Sequence, residues 1–171
     1  MREKQDGVDA FWTDDWDGYP ANRVRLLQHI HDSKVANPVV ASGDIHSFFA
    51  NDLKLDFDDA TSPIVATEFV GTSISSSGPP SDPIKQALPD NPHVHFFESR
   101  RRGHVVIDLQ RDKMQVQMRA VSDAHDPQAT IETLKSYVVE SGRAGVVEAK
   151  DDLQSYSAAT FSASHTLIRD W

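Results

Sequence analysis

The sequence contains no cysteine, which excludes disulfide bonds and thiolate metal sites within this chain. It also lacks any apolar run near the roughly 18 residues of a membrane-spanning helix. Residues 1–7 are polar and do not resemble a secretory signal, so the cellular location stays open. Lys and Arg number 17 against 26 Asp and Glu, a formal net charge of −9. We therefore expect neither nucleic acid nor a membrane surface as a partner.

The remaining composition is typical of a globular protein. Of the 171 residues, 39% are hydrophobic and 25% are charged, which fits one domain or most of one. Beyond Ser141 the sequence becomes rich in small polar residues and offers little to bury. We predict that residues 1–149 form the folded part and that residues 150–171 form a polar surface tail.

One short stretch, residues 38–47, combines apolar and metal-ligating residue types. It reads as a buried strand that leads into a turn at Gly43, followed by Asp44 and His46. In extended backbone, residues at i and i+2 share a face, so these two side chains would point at one centre and serve as metal ligands. The alternative is an ordinary turn with a satisfied Asp and His, because most metal sites need at least three protein ligands.

The segment before this stretch indicates an αβ unit. Residues 21–34 carry Val24, Leu27 and Ile30 at helical spacing, after a proline suited to a first turn. In α/β sheets, ligands bind beyond the carboxyl ends of strands, which is where Asp44 and His46 would lie.

The rest of the chain is assigned by its hydrophobic period. Residues 1–19 keep no period and are predicted as a loop, and residues 130–140 fit a helix or, slightly better, a strand. The other predicted elements are strands at 48–55, 63–70, 104–110 and 113–121 and a short helix at 82–88.

Several polar segments have two readings. Loop 71–80 would either cradle an anion or act as a connector, and it lacks the ending of a P-loop. Arg100–Arg102 would either bind an anion or form a solvated turn, and His93 with His95 is a weak pair of ligands. A serine hydrolase is poorly supported, because no Gly-x-Ser-x-Gly elbow occurs and Ser47 is badly placed for one.

Four blocks resemble a known family when they are taken together. They are Trp-Asp-Gly-Tyr at 16–19 with Asn-Arg at 22–23, Ser-Gly-Asp-Ile-His-Ser at 42–47, the segment 66–74, and the segment 91–103. In this order they resemble the C-terminal portion of the PhoD-like alkaline phosphatases, which belong to the calcineurin-like metallophosphoesterases. The resemblance extends over residues 10 to 147.

The resemblance implies an α/β (α+β) fold, the C-terminal part of a metallophosphoesterase β-sandwich with flanking helices, formed by residues 1–149. It implies hydrolysis of phosphomonoesters or phosphodiesters at a centre of Fe, Ca, Zn or Mn ions. Asp44 and His46 match the family's last metal-binding motif. Trp16, Tyr19 and Arg23 would line the substrate pocket.

This sequence departs from the family pattern because the earlier metal motifs are absent. Two donors cannot hold a pair of metal ions, so we expect no substantial activity from the chain alone. We expect it either to need the missing N-terminal half or to self-associate. The alternative is a non-catalytic remnant that acts in binding or assembly.

Overall fold

The structure is a computed structural model that describes residues 2–5, 8–11 and 13–149. Short 3-10 turns occupy Trp16–Gly18 and Leu88–Asp90. The helices and strands, in chain order, are β1 (Arg2–Gln5), β2 (Val8–Phe11), α1 (Pro20–Asp32), β3 (Val39–Ser42), β4 (Phe48–Lys54), β5 (Ile64–Val70), α2 (Ser81–Ala87), β6 (Val94–Glu98), β7 (Gly103–Leu109), β8 (Lys113–Val121), β9 (Ile131–Glu140) and β10 (Val147–Glu148).

The larger strands form two four-stranded sheets. One has the order β3-β5-β4-β6, in which β3 runs parallel to β5 and the other pairs are antiparallel. The other has the order β10-β9-β8-β7 and is antiparallel throughout. The ambiguous segment 130–140 is a strand, as its β-branched residues favoured.

The apolar faces of the two sheets pack against each other and form the main core. Phe69 of β5 and Tyr137 of β9 meet across the interface with ring centroids 5.7 Å apart. The buried members of this core are Phe48, Ala50, Phe69, Met114, Val116, Met118, Ala120, Tyr137 and Val139. The alternation along β8 thus buries one face of the strand, and the predicted sandwich is confirmed.

A smaller core covers the other face of the first sheet. Ile84 of α2 packs with Val70, Phe49 and Phe97, and the two phenylalanine rings lie 4.9 Å apart. Helix α1 forms where its period predicted it, yet Leu27 is its single buried residue. Neither helix is long and apolar enough to cross a membrane, and the described residues contain no other α-helix.

Two predictions about local structure are wrong. The loop predicted over residues 1–19 contains β1 and β2, which pair from Arg2↔Phe11 to Gln5↔Val8. Strands of four residues are too short to show a period. The predicted buried strand is the edge strand β3, because β5 is its one partner within the described chain, and Val40 remains 37% exposed.

Residues 150–171, predicted as a polar tail, lie outside the described residues.

Candidate metal site in the bend after strand β3

Asp44 and His46 lie in a tight bend between β3 and β4. The chain must reverse direction and pass the end of β5 within residues 43–47. Both residues have left-handed backbone, with φ of 74° at Asp44 and 56° at His46, and the Ile45 amide donates to the Gly43 carbonyl oxygen (2.9 Å). The prediction that they share a face of extended strand is therefore wrong, because the reversal excludes extended backbone here. Each left-handed residue costs about 1–3 kcal/mol, and such strain concentrates at functional sites.

The His46 ring is held by one hydrogen bond. Its Nδ1 lies 2.9 Å from the Ser77 carbonyl oxygen. A carbonyl oxygen can only accept, so Nδ1 is the donor in this bond, and in the neutral form of the ring Nε2 is then the nitrogen with the lone pair. No residue of 13–149 hydrogen-bonds to Nε2, and the Asp44 side chain is exposed. A carboxylate and a free imidazole nitrogen two residues apart are donors that fit Zn, Fe or Mn.

Arg102 holds the bend and loop 71–80 together. Its Nη1 donates to the carbonyl oxygens of His46 (3.1 Å) and Ser76 (2.5 Å) and to the Ser73 hydroxyl (2.6 Å), and its Nη2 donates to the Ser99 carbonyl oxygen. The residue is 7% exposed. Arg102 is thus neither part of a solvated turn nor free to bind an anion, and loop 71–80 is tied to the bend.

The neighbouring arginines behave differently. Arg100 donates to Asp82 (3.1 Å) and Arg101 to Glu132 (2.7 Å), and both pairs lie at the surface. The solvated-turn reading therefore describes Arg100. Arg101 is half-buried and also donates from Nε to the Val121 carbonyl oxygen (3.1 Å), and the reading fails for Arg102.

The three predicted pocket residues lie on the 3-10 turn and the start of α1. Trp16 and Tyr19 are 53% and 61% exposed. Arg23 pairs with Asp17 and places its guanidinium 5.2 Å from the centre of the Phe57 ring. No hydrogen bond, ion pair or ring contact within residues 13–149 connects these three with Asp44 or His46, so the shared pocket stays a prediction.

His93 and His95 do not act together. His93 lies in a turn before β6, half-buried against the Phe57 ring (4.8 Å), and burial lowers its pKa to about 4. His95 lies 2.6 Å from the Asp52 carboxylate, and that hydrogen bond raises the pKa of His95. No group of three potential ligands from His, Asp and Glu occurs in the part of the chain that the structure describes.

Two further side chains bear on the sequence predictions. Asp52 was not predicted to have a role, although an acidic residue inside the apolar strand β4 is the kind of signal that could have pointed to it. Its other carboxylate oxygen accepts from the Val146 amide (2.7 Å). Ser47 is fully buried, so its hydroxyl cannot attack a substrate.

The chain is similar to proteins of known family. The sequence model described as "PhoD-like phosphatase" matches residues 1–118. Alkaline phosphatase D of Bacillus subtilis (strain 168) is 37% identical over 136 residues, which covers 78% of this chain and 23% of that protein. The chain thus spans about a quarter of that relative's length.

A solved structure described as "Structure of PhoD" superposes with a TM-score of 0.76 at 30% identity, covering 91% of this chain and 30% of that one. The two-sheet architecture matches, which confirms the predicted fold class. Because the family model covers more than half of the sequence, the chain belongs to the PhoD-like phosphatase family.

Proposed function

We propose that this chain forms part of a metal-dependent phosphoric ester hydrolase and that Asp44 and His46 supply two of its metal ligands. The observation that carries the proposal is the bend 43–47. There the bond from His46 Nδ1 to the Ser77 carbonyl leaves Nε2 available two residues from the exposed Asp44 carboxylate. A histidine whose second nitrogen donates to a backbone carbonyl is the usual state of a metal-bound imidazole.

The two side chains have different roles in this proposal. The Asp44 carboxylate offsets positive charge, and the neutral imidazole donates a lone pair without adding charge. When bound, ions such as Fe, Ca, Zn or Mn supply a hydroxide nucleophile and Lewis acidity toward the phosphoryl group. The substrate class is the phosphomonoester or phosphodiester, as the family implies.

Trp16, Tyr19 and Arg23 are proposed as substrate-pocket residues. The two aromatic side chains are more than half exposed, so both are accessible to a bound substrate. Arg23 carries the positive charge that would attract a phosphate, and its pairing with Asp17 fixes its position.

We further propose that the chain alone is not active. A two-metal site clamps both the attacking and leaving oxygens and needs more donors than Asp44 and His46. The remaining ligands would come from further polypeptide that covers α1, the edge of β3 and the bend. The alternative is self-association through the same surface, which a measurement of the molar mass in solution would detect as a dimer or larger oligomer.

The ligand proposal is tested by Zn²⁺ binding to the purified chain in isothermal titration. We expect weak binding that falls at least about tenfold in His46→Ala and in Asp44→Ala, because each removes one of two donors. His31→Ala is the matched control, since it removes an exposed histidine from α1 and should change nothing. Equal Zn²⁺ affinity in His46→Ala and the unaltered chain would refute the proposal.

The inactivity of the isolated chain is tested with p-nitrophenyl phosphate and added Zn²⁺, Mn²⁺, Ca²⁺ or Fe³⁺. We expect no hydrolysis above the metal-only blank. Hydrolysis that His46→Ala abolishes would show that the chain holds a complete centre. The second candidate function is a binding or assembly module. The observation that favours it is that the described residues contain no group of three potential metal ligands. It would fit a chain that binds a partner polypeptide and forms no active centre.

A further inference from the structure

We propose that Arg102 is a positioning residue for His46, one that fixes both the orientation and the tautomer of the imidazole. This inference rests on the proposed role of His46 as a ligand. Arg102 precedes β7 and lies 56 residues from His46 in sequence, so the connection depends on the fold.

The guanidinium holds both sides of the bond that orients the imidazole. On one side, Nη1 donates to the carbonyl oxygen of His46 itself (3.1 Å). On the other side, it donates to the Ser76 carbonyl (2.5 Å), and the next residue, Ser77, provides the carbonyl that accepts from His46 Nδ1 (2.9 Å). The acceptor and the backbone of the imidazole are therefore fixed relative to each other.

This arrangement determines which ring nitrogen can bind a metal ion. With the Ser77 carbonyl held beside Nδ1, the proton stays there and Nε2 remains a free donor. If the carbonyl moved away, either nitrogen would carry the proton, and a fraction of the molecules would present an N–H where a lone pair is needed.

The contacts of Arg102 require the planar guanidinium. The residue is 7% exposed, and its partners are three carbonyl oxygens and the Ser73 hydroxyl, which come from the bend, from loop 71–80 and from the segment between β6 and β7. A planar fork with five N–H groups can bridge such a spread of acceptors. The ammonium of a lysine is a compact point charge and cannot reach the same set, so Arg102→Lys should loosen the connection while keeping the charge.

Gly78 gives an independent indication that this contact is close. A Cβ at Gly78 would lie 2.5 Å from the His46 carbonyl oxygen, 2.5 Å from the Ser99 carbonyl oxygen and 3.0 Å from Arg102 Nη2. Only glycine lets the chain pass this close to the guanidinium and its acceptors. Gly78→Ala should therefore displace Arg102 from His46 without removing any charge or donor.

The test reads the tautomer of His46 in the metal-free 171-residue chain from its ring ¹⁵N shifts, at a pH of about 8, where imidazole is neutral. In the unaltered chain we expect a single Nδ1–H form. In Arg102→Lys and Gly78→Ala we expect a mixture of both forms, together with Zn²⁺ affinity about tenfold lower, as is typical when the partner of a metal-bound histidine is lost.

Arg100→Lys is the matched control, because Arg100 is exposed and bonds to Ser81 and Asp82 and not to the bend. It should keep the Nδ1–H form and the Zn²⁺ affinity. The amide spectrum of each variant establishes whether it is folded.

The unaltered chain alone can refute the proposal, even if both variants unfold. An Nε2–H form or a mixture in that chain would overturn the positioning role, and so would an unchanged Nδ1–H form in folded Arg102→Lys and Gly78→Ala. Because the tautomer is read without metal, this failure is distinct from failure of the ligand proposal, which would appear as unchanged Zn²⁺ binding in His46→Ala.

Discussion

At the scale of single residues, His93 and His95 show how strongly the fold changes the chemistry of one side-chain type. The Asp52 carboxylate raises the pKa of His95, whereas burial lowers the pKa of His93 to about 4. Their spacing in the sequence predicted a shared face, but His93 lies in the turn before β6. Asp52 is 43 residues from His95, so the sequence could not show this pairing.

His93 should make the stability of the chain depend on pH. Its folded pKa, about 4, lies below the ordinary value of 6.5, so the unfolded chain binds more protons between these values. Stability from this group is therefore present above pH 6.5 and is lost as the pH falls toward 4. Because the ring is only half-buried, we expect a loss of about 1–2 kcal/mol across this range.

Urea unfolding at a series of pH values between 4 and 7 measures this dependence. In His93→Gln, the free energy of unfolding should fall less between pH 6.5 and 4 than in the unaltered chain, by about 1–2 kcal/mol. His95→Gln is the matched comparison. Because the pKa of His95 is raised in the folded chain, this residue stabilises the fold below pH 6.5, and that stabilisation is lost as the pH rises above 6.5. The substitution His95→Gln should therefore change the pH dependence of stability in the opposite direction to His93→Gln. If the unfolding free energies of the unaltered chain and His93→Gln changed equally with pH, the lowered pKa of His93 would not contribute to stability.

At the scale of elements, Asp52 joins the two sheets. One carboxylate oxygen accepts from His95 on β6, and the other accepts from the Val146 amide, just before β10 (2.7 Å). Strand β10 has two residues and, within the described chain, pairs only with β9, so this hydrogen bond adds to the few contacts that hold the segment. Asp52 therefore stabilises the end of one sheet from within the other.

We expect Asp52→Ala to release the segment around β10. Hydrogen exchange at the Val146 amide should become at least about tenfold faster, and the free energy of unfolding should fall by about 1–3 kcal/mol, since buried polar partners are lost. Asp56→Ala, in the exposed loop after β4, is the control and should leave Val146 protected. Unchanged protection in Asp52→Ala would show that strand pairing alone holds this segment.

The elements that local pattern determines were predictable, and those that depend on distant partners were not. The spacing of Val24, Leu27 and Ile30 predicted α1, and the alternation along β8 predicted a strand with one buried face. The apolar residues of β3 gave no information on burial, because burial depends on which strands lie beside it. The hairpin of β1 and β2 depends on backbone pairing that leaves no sequence period.

The same distinction applies to the site. Asp44 and His46 could be proposed as ligands because they are close in sequence and form a motif. The backbone that presents them could not, since the bend follows from where β5 and β4 lie. Arg102 was misread for a similar reason, as three of its four acceptors come from the bend and from residues 73–76.

At the scale of the whole molecule, several of the exposed large apolar side chains lie on α1, on β3 and in the bend after β3. They are Val24 and Leu26 on α1 (51% and 45% exposed), Val40 on β3 (37%) and Ile45 in the bend (44%). Strand β3 also offers a backbone edge that pairs with no described strand. Exposed apolar residues beside an unpaired edge favour association with another polypeptide.

We expect Val40→Lys to weaken that association, because a charge on an edge strand opposes pairing with a further strand. Leu109→Lys is the matched control, since Leu109 is 77% exposed on β7, the edge strand of the other sheet. Sedimentation velocity should show the unaltered chain and Leu109→Lys binding the N-terminal region of alkaline phosphatase D from Bacillus subtilis, with affinity at least about tenfold lower for Val40→Lys. Homodimers that Val40→Lys dissociates would instead identify a second copy of the chain as the occupant. If all three proteins stayed monomeric and bound nothing, the prediction that the edge of β3 pairs with another polypeptide would be wrong.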